Sequence, residues 1–277
     1  GDEAMQLLLI ALVLGIYLHD EWGPAAVQLG PWSTAAAILV PKLVVAGLYL
    51  LLCRWVTGCL SSSKASAALR AADYGTSLLR LAVAGLYAGD LALGGLTQLR
   101  TAIGVTIEPS RSGPPLISEL AIIAPTLALL TFSWWAYYPI DRRLRTATIL
   151  SRIDAGLPVL PLWTRGQYVL SQLRQNAGLI LVPLLIIMAW SQIVDQSWFD
   201  PLAEGRDWLR PVLTTTGALV VFLLAPFIIR SIWDTMALPD GPLRAQLIDL
   251  CRLHRVGVRE LLLWRTFGGT VNGAVMG

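Results

Sequence analysis

The chain of 277 residues is 55% hydrophobic and only 14% charged, and its mean hydropathy is positive. This composition excludes a soluble globular protein and is typical of a multispan membrane protein. Nucleic acid is not indicated as a partner, and Cys53, Cys59 and Cys251 are too scattered for a disulfide framework or a thiolate metal site.

Apolar segments recur along the first 238 residues. A hydrocarbon core of about 30 Å needs roughly 20 apolar helical residues, and four segments approach that length. Two shorter segments complete a prediction of about six transmembrane helices. The first of them has a cleaved signal peptide as its alternative, but Asp2 and Glu3 stand where a signal peptide carries basic residues. The predicted spans cover residues 5–18, 32–52, 78–99, 116–138, 178–194 and 212–229.

Lys and Arg are distributed unevenly between the predicted loops. The loop after the first span has none, whereas the next loop carries Arg54, Lys64 and Arg70, and a series of arginines runs from Arg142 to Arg174. Basic residues gather in cytoplasmic loops. The sequence therefore predicts a multi-pass protein of the inner (plasma) membrane with both termini in the cytoplasm.

The loop after the fourth span is long, and its pattern predicts amphipathic helices over residues 140–175 at the cytoplasmic membrane surface. Its arginines would face anionic headgroups of the lipid bilayer, or they only mark the cytoplasmic side. Aromatic residues precede the loop, and amphipathic rings favour the headgroup level. These aromatic residues are Trp134, Trp135, Tyr137 and Tyr138.

Two charges fall at the middle of predicted spans, Lys42 in the second and Asp90 in the third. An isolated charge at the bilayer centre costs about 2.5 to 3.5 kcal/mol on insertion scales. Counted from the cytoplasmic helix ends at 1.5 Å per residue, both lie at similar depth. We therefore predict a Lys42–Asp90 ion pair, with Glu119 as the competing acid. Such a pair can serve a function or only fix the helix register.

The composition changes at Pro239. Asp240, Gly241 and Pro242 are typical of a helix start, and apolar residues follow at spacings of three and four until Gly257. Residues 258–266 predict a buried strand, and Gly268-Gly269 predicts a turn into a second strand over residues 270–276. Residues 239–277 would thus form a helix followed by a β-hairpin.

This tail resembles the integral-membrane zinc metallopeptidases of the HtpX and CAAX-prenyl-protease type. The resemblance rests on Leu-Arg-x-x-Leu in the helix, on Gly257-Val258 before the first strand and on Asn272-Gly-Ala-Val-Met-Gly277 in the second. It implies a mainly α protein in which a polytopic helix bundle precedes an incomplete α+β zincin-like cytoplasmic domain. It also implies that Asn272, Gly273 and Ala274 form a strand edge that binds an extended polypeptide substrate.

The family binds zinc through His-Glu-x-x-His, in which two histidines on one helix face hold the metal and the glutamate activates water. This chain has only His19 and His254, so it contains no catalytic residues, binds no zinc by itself and should be inactive. The expected function is therefore the membrane portion of a truncated metalloendopeptidase that cleaves membrane-associated or misfolded proteins at the cytoplasmic face, with zinc bound in the full-length protein. A non-enzymatic scaffold, a sensor-transducer and a transporter stay open as alternatives.

Overall fold

A computed structural model describes residues 9–11, 13, 15, 31–92, 116–154, 162–232, 235–258 and 260–264. The protein is mainly helical, as the sequence predicts. The longer helices are α1 (Pro31–Cys59), α2 (Ala65–Ala92), α3 (Ile117–Asp154), α4 (Arg165–Gln172), α5 (Leu179–Val194), α7 (Leu209–Ile232) and α8 (Pro242–Leu253). The shorter elements are a π-helical segment (Leu173–Gly178), a 3-10 turn (Ser197–Phe199), α6 (Asp200–Ala203), β1 (Thr235–Ala237) and β2 (Leu262–Trp264).

Within the described residues, four helical stretches are long and apolar enough to cross a membrane, which supports the assignment as a membrane protein. They contain the second, fifth and sixth predicted spans and all but the first three residues of the fourth. Most of the first predicted span lies outside the described residues, although Leu9 and Val13 are helical and buried in the core. The described part of the third predicted span belongs to α2, which is not among the four. The four stretches are Trp32–Cys59, Glu119–Leu150, Arg165–Val194 and Leu209–Ile232.

Helices α1, α2 and α3 pack against one another as a bundle. A short turn at residues 60–64 reverses the chain, so α2 runs antiparallel to α1, and the Tyr49 and Thr76 hydroxyls meet at 3.0 Å. The Arg143 guanidinium donates to the Thr57 carbonyl and Tyr137 lies near Cys53, so α3 runs parallel to α1. Much of the buried core lies between these three helices.

Helix α3 continues through the position where the sequence predicted a new surface helix. Pro139 removes one backbone donor, yet residues 140–154 prolong the same helix. An Arg145–Asp141 ion pair at 2.6 Å and the Arg143 contact with α1 hold this second half. The next helix begins at Arg165, so the described part of residues 140–175 is divided between α3 and the helical stretch that begins with α4, and its place at the membrane surface stays a prediction.

Helix α4 begins with a capping box in which the Thr164 hydroxyl accepts from the Gln167 amide and the Gln167 side chain accepts from the Thr164 amide. It passes through the π-helical segment into α5, which packs against α7. The Trp190 indole donates to the Leu213 carbonyl at 2.9 Å and lies directly over Gly217, where a Cβ atom would come within 2.1 Å of the ring. The indole therefore packs directly on the backbone of Gly217, where a larger residue would leave no room for the ring.

The tail follows α7 directly. Helix α8 starts at Pro242 after Gly241, as predicted, and β2 lies within the predicted strand at residues 258–266. The described partner of β2 is β1, which pairs with it antiparallel from Thr235 opposite Trp264 to Ala237 opposite Leu262. The predicted second strand at residues 270–276 lies outside the described residues, so the zincin-like hairpin remains a prediction.

Candidate functional site

The described residues bring Lys42 and Asp90 together in a buried ion pair between α1 and α2. Each residue is only 4% exposed. The Lys42 ammonium also donates to the Ile38 carbonyl, one turn earlier in α1, at 3.1 Å. Both partners of the pair that the sequence predicts are thus in direct contact, and the charge of each is offset by the other.

The antiparallel packing explains why two residues so distant in sequence meet. The Tyr49–Thr76 contact sets α2 against α1, and Lys42 lies seven residues before Tyr49 while Asp90 lies fourteen after Thr76. Lys42 and Asp90 therefore both lie on the side of this contact away from the α1–α2 turn. The lysine side chain extends toward the start of α1, where its ammonium meets the Ile38 carbonyl, and so covers much of the remaining axial offset.

Two further polar residues on α3 are buried in the same half of the bundle. Glu119, the competing acid in the sequence analysis, is 3% exposed near the start of α3, but the carboxylate that contacts Lys42 is that of Asp90. Because Arg143 of α3 contacts Thr57 of α1, the parallel register places Thr126 about level with Lys42. The buried Thr126 hydroxyl finds no hydrogen-bond partner within the described part of the chain.

The ion pair fixes the register of α1 against α2. A shift of either helix by one turn, about 5.4 Å, would separate the two charges inside an apolar core. A neutralised pair also lets α2, which carries Arg70, Asp73 and Arg80 besides Asp90, lie beside the strongly apolar α1. The geometry therefore supports a structural role.

The residues predicted to bind substrate, Asn272, Gly273 and Ala274, lie outside the described residues. His254 is exposed and ends α8, where its backbone amide donates to the Leu250 carbonyl at 3.1 Å. Over the ranges that the structure describes, no three His, Cys, Asp or Glu side chains are placed to hold a metal ion.

The apolar stripe of α8 has little cover from the described residues. Leu243 is 57% exposed and Leu250 is 52% exposed, while Leu247 and Cys251 are partly covered. The sequence predicted this stripe from its spacing. An apolar helix face of this kind is typical of a helix that packs against further structure.

Sequence reasoning missed a cluster of aromatic rings and arginines where α3 meets α4. The hydroxyl of Tyr138 donates to the Trp163 carbonyl at 2.7 Å, and the Tyr138 and Tyr168 rings lie 5.6 Å apart. The spacing of Trp135 and Tyr138 places them on one helix face, which is a usable sequence signal. Their contact with α4 depends on the path of residues 155–164, which no local pattern predicts.

Comparison of the chain with known protein families, with curated proteins and with solved structures found no match.

Proposed function

We propose that this chain is the membrane portion and the beginning of the catalytic domain of a zinc-dependent metalloendopeptidase. The proposal rests on one observation, the order of the tail: helix α8, an extended segment with β2, and then Asn272-Gly-Ala-Val-Met-Gly277. In the peptidases of the HtpX and CAAX-prenyl-protease type, the same order leads to the substrate-binding strand.

Two contacts of the tail agree with a catalytic domain held close to the bilayer. Strand β1 begins just after α7 and pairs with β2, and Arg230 of α7 forms an ion pair with Glu260 at 2.9 Å. A domain anchored in this way would act on polypeptides that are membrane-associated or misfolded. We place it on the cytoplasmic side of the inner membrane because that is where the basic loops predict the tail to lie.

The apolar stripe of α8, which the described residues leave largely exposed, also agrees with the proposal, since the remainder of a peptidase domain would supply the surface against which it packs. The metal ligands required by the family are not among these 277 residues. The proposal therefore requires a His-Glu-x-x-His helix from outside this sequence. Zinc held there would polarise the scissile carbonyl and activate water, while residues 272–274 would align the peptide by main-chain hydrogen bonds.

The test uses the gene that encodes the chain. We expect the codons after Gly277 to encode His-Glu-x-x-His within about a hundred residues. The longer protein should bind about one zinc ion per chain and cleave an unfolded membrane-protein substrate, and replacement of the motif glutamate by glutamine should abolish cleavage while zinc stays bound. A longer protein that has no such motif and neither binds zinc nor cleaves would reject the peptidase and favour a scaffold.

The docking strand has its own test in that longer protein. Gly273→Ala introduces the residue usual in the family and should preserve cleavage. Ala274→Pro should abolish cleavage, because proline cannot donate a main-chain hydrogen bond and disrupts strand pairing. Zinc content serves as the control, since both variants should retain the metal. Equal cleavage by the two variants would remove residues 272–274 from the substrate site.

A further inference from the structure

The junction of α3 and α4 holds two arginines against aromatic rings. The Arg165 guanidinium lies 4.1 Å from the centre of the Trp135 ring and 5.5 Å from that of Tyr138. The Arg145 guanidinium lies 4.5 Å from the Trp163 ring. We call Trp135, Tyr138, Arg145, Trp163, Arg165 and Tyr168 the aromatic cluster.

The two arginines differ in how their charge is compensated. Arg145 forms an ion pair with Asp141 at 2.6 Å. Arg165 contacts ring faces, and no carboxylate of the described residues forms an ion pair with it. A guanidinium that stacks on an aromatic face keeps the N–H groups along its edge available, and that planar edge matches the oxygens of a phosphate. Arg165 is therefore the member of the aromatic cluster with donors left for an anion.

The surroundings of Arg165 distinguish between classes of anion. Trp135 is 40% exposed, and Leu162 and Leu170 expose apolar side chains on either side of Arg165 in the sequence. The cluster joins two helical stretches that are long and apolar enough to cross a membrane. A ligand that fits this surface carries both a phosphate and apolar chains, which is the chemistry of a phospholipid.

Charge selects the kind of phospholipid. Besides the partly buried Arg165, this end of the bundle exposes Arg54, Lys64 and Arg143, which come from three different segments. Arg143 reaches the end of α1 by its bond to Thr57, so α3 and α1 contribute to one basic surface. A zwitterionic headgroup carries its own cation, which this surface would repel, whereas an anionic headgroup would be attracted.

We propose that Arg165 and the rings of the aromatic cluster form a specific site for the phosphate of an anionic phospholipid. The guanidinium edge donates to two phosphate oxygens, the rings fix the plane of the guanidinium, and the acyl chains lie over the neighbouring apolar side chains. This site is independent of the proposed peptidase activity, so it can be tested on the present chain.

The experiment measures retention of phosphatidylglycerol by the purified full chain in detergent, by native mass spectrometry over a lipid titration, with phosphatidylcholine as the reference. Arg142→Ala is the matched control, because Arg142 is exposed on the same basic end and makes no aromatic contact among the described residues. We expect Arg165→Ala to weaken retention of phosphatidylglycerol roughly tenfold or more. Arg142→Ala should change it by less than about twofold.

Two conservative variants separate loss of the lipid site from loss of folding. Arg165→Lys keeps the charge but loses the planar fork, and we expect it to weaken retention clearly more than Arg142→Lys does. Equal effects at the two positions, or equal retention of phosphatidylcholine by the unaltered chain, would show only a general surface attraction and would overturn the site. Displacement of the lipid by inorganic phosphate at the same concentration would identify a free-phosphate site and overturn the lipid assignment.

Discussion

Removing one member of the Lys42–Asp90 pair should destabilise the bundle far more than removing both. Asp90→Asn leaves the Lys42 ammonium beside a neutral amide in a position that is 4% exposed. Loss of one partner of a buried pair costs about 3 to 5 kcal/mol in soluble proteins, and a single charge at the bilayer centre costs about 2.5 to 3.5 kcal/mol. We therefore expect Asp90→Asn to lower the free energy of unfolding by about 3 kcal/mol.

The double variant provides the decisive comparison. Lys42→Met with Asp90→Leu replaces both charges by apolar side chains, and substitutions of this kind are often close to neutral. We expect the double variant to unfold within about 1 kcal/mol of the unaltered chain, although each single loss of charge is costly. A double-mutant cycle with Lys42→Met and Asp90→Leu as its single variants would then give a coupling free energy of about 2 kcal/mol or more between the two positions.

The assay is equilibrium unfolding in mixed micelles by titration with a denaturing detergent, followed by the fluorescence of the 11 tryptophans. The matched controls are Asp73→Asn, at an exposed position of the same helix, and Lys64→Met, at an exposed lysine. Each control should change the free energy of unfolding by no more than about 0.5 kcal/mol. If Asp90→Asn lowers the free energy of unfolding by no more than Asp73→Asn does, Lys42 and Asp90 do not stabilise each other and the reasoning fails.

Four further substitutions test local packing, by the same unfolding assay and by hydrogen exchange. Gly217→Ala should destabilise the protein by about 1 to 3 kcal/mol, because its methyl group would overlap the Trp190 indole. An unchanged stability would mean that the indole does not pack on Gly217. Gly85→Ala and Gly89→Ala should each stabilise by about 0.5 to 1 kcal/mol, since no side chain of the described residues lies within 4 Å of either added methyl group. A loss of stability would reveal a neighbour there. Arg255→Gly should stabilise α8 by roughly 0.5 to 1 kcal/mol, because Arg255 has a φ of 54° at the helix end, a conformation that favours glycine. Hydrogen exchange in the last turn of α8 should become slower, and faster exchange would contradict this prediction.

The geometry behind the last of these predictions is a Schellman motif. The Val256 amide donates to the Cys251 carbonyl at 2.9 Å, and the Arg255 amide donates to the Arg252 carbonyl at 3.1 Å. This motif places a left-handed residue directly after the helix cap, a position that favours glycine. The sequence instead has its glycine at position 257, two residues later, so the sequence analysis placed the end of the helix slightly too far along the chain.

The sequence by itself determined the features that depend on local chemistry and on the thickness of the bilayer. Long apolar stretches predicted membrane-length helices, because the hydrocarbon core sets their length. The Lys42–Asp90 pair was predicted from the depth of the two residues in the bilayer, since both charges must avoid lipid and lie at similar heights in their helices. The start of α8 followed from Gly241 and Pro242, whose backbone preferences act locally.

Only the tertiary structure decided which distant segments meet. The sequence predicted a span that ends at residue 138 and a separate surface helix after it, but α3 continues to Asp154 and contacts α1 through Arg143. Strand β2 was predicted to pair with a later strand, and the described partner is β1, because the strand register depends on where α7 ends. Arg165 reaches the rings of α3 through a connection that carries no periodic pattern. Such contacts depend on the path of the chain between helices, which hydrophobic spacing does not encode.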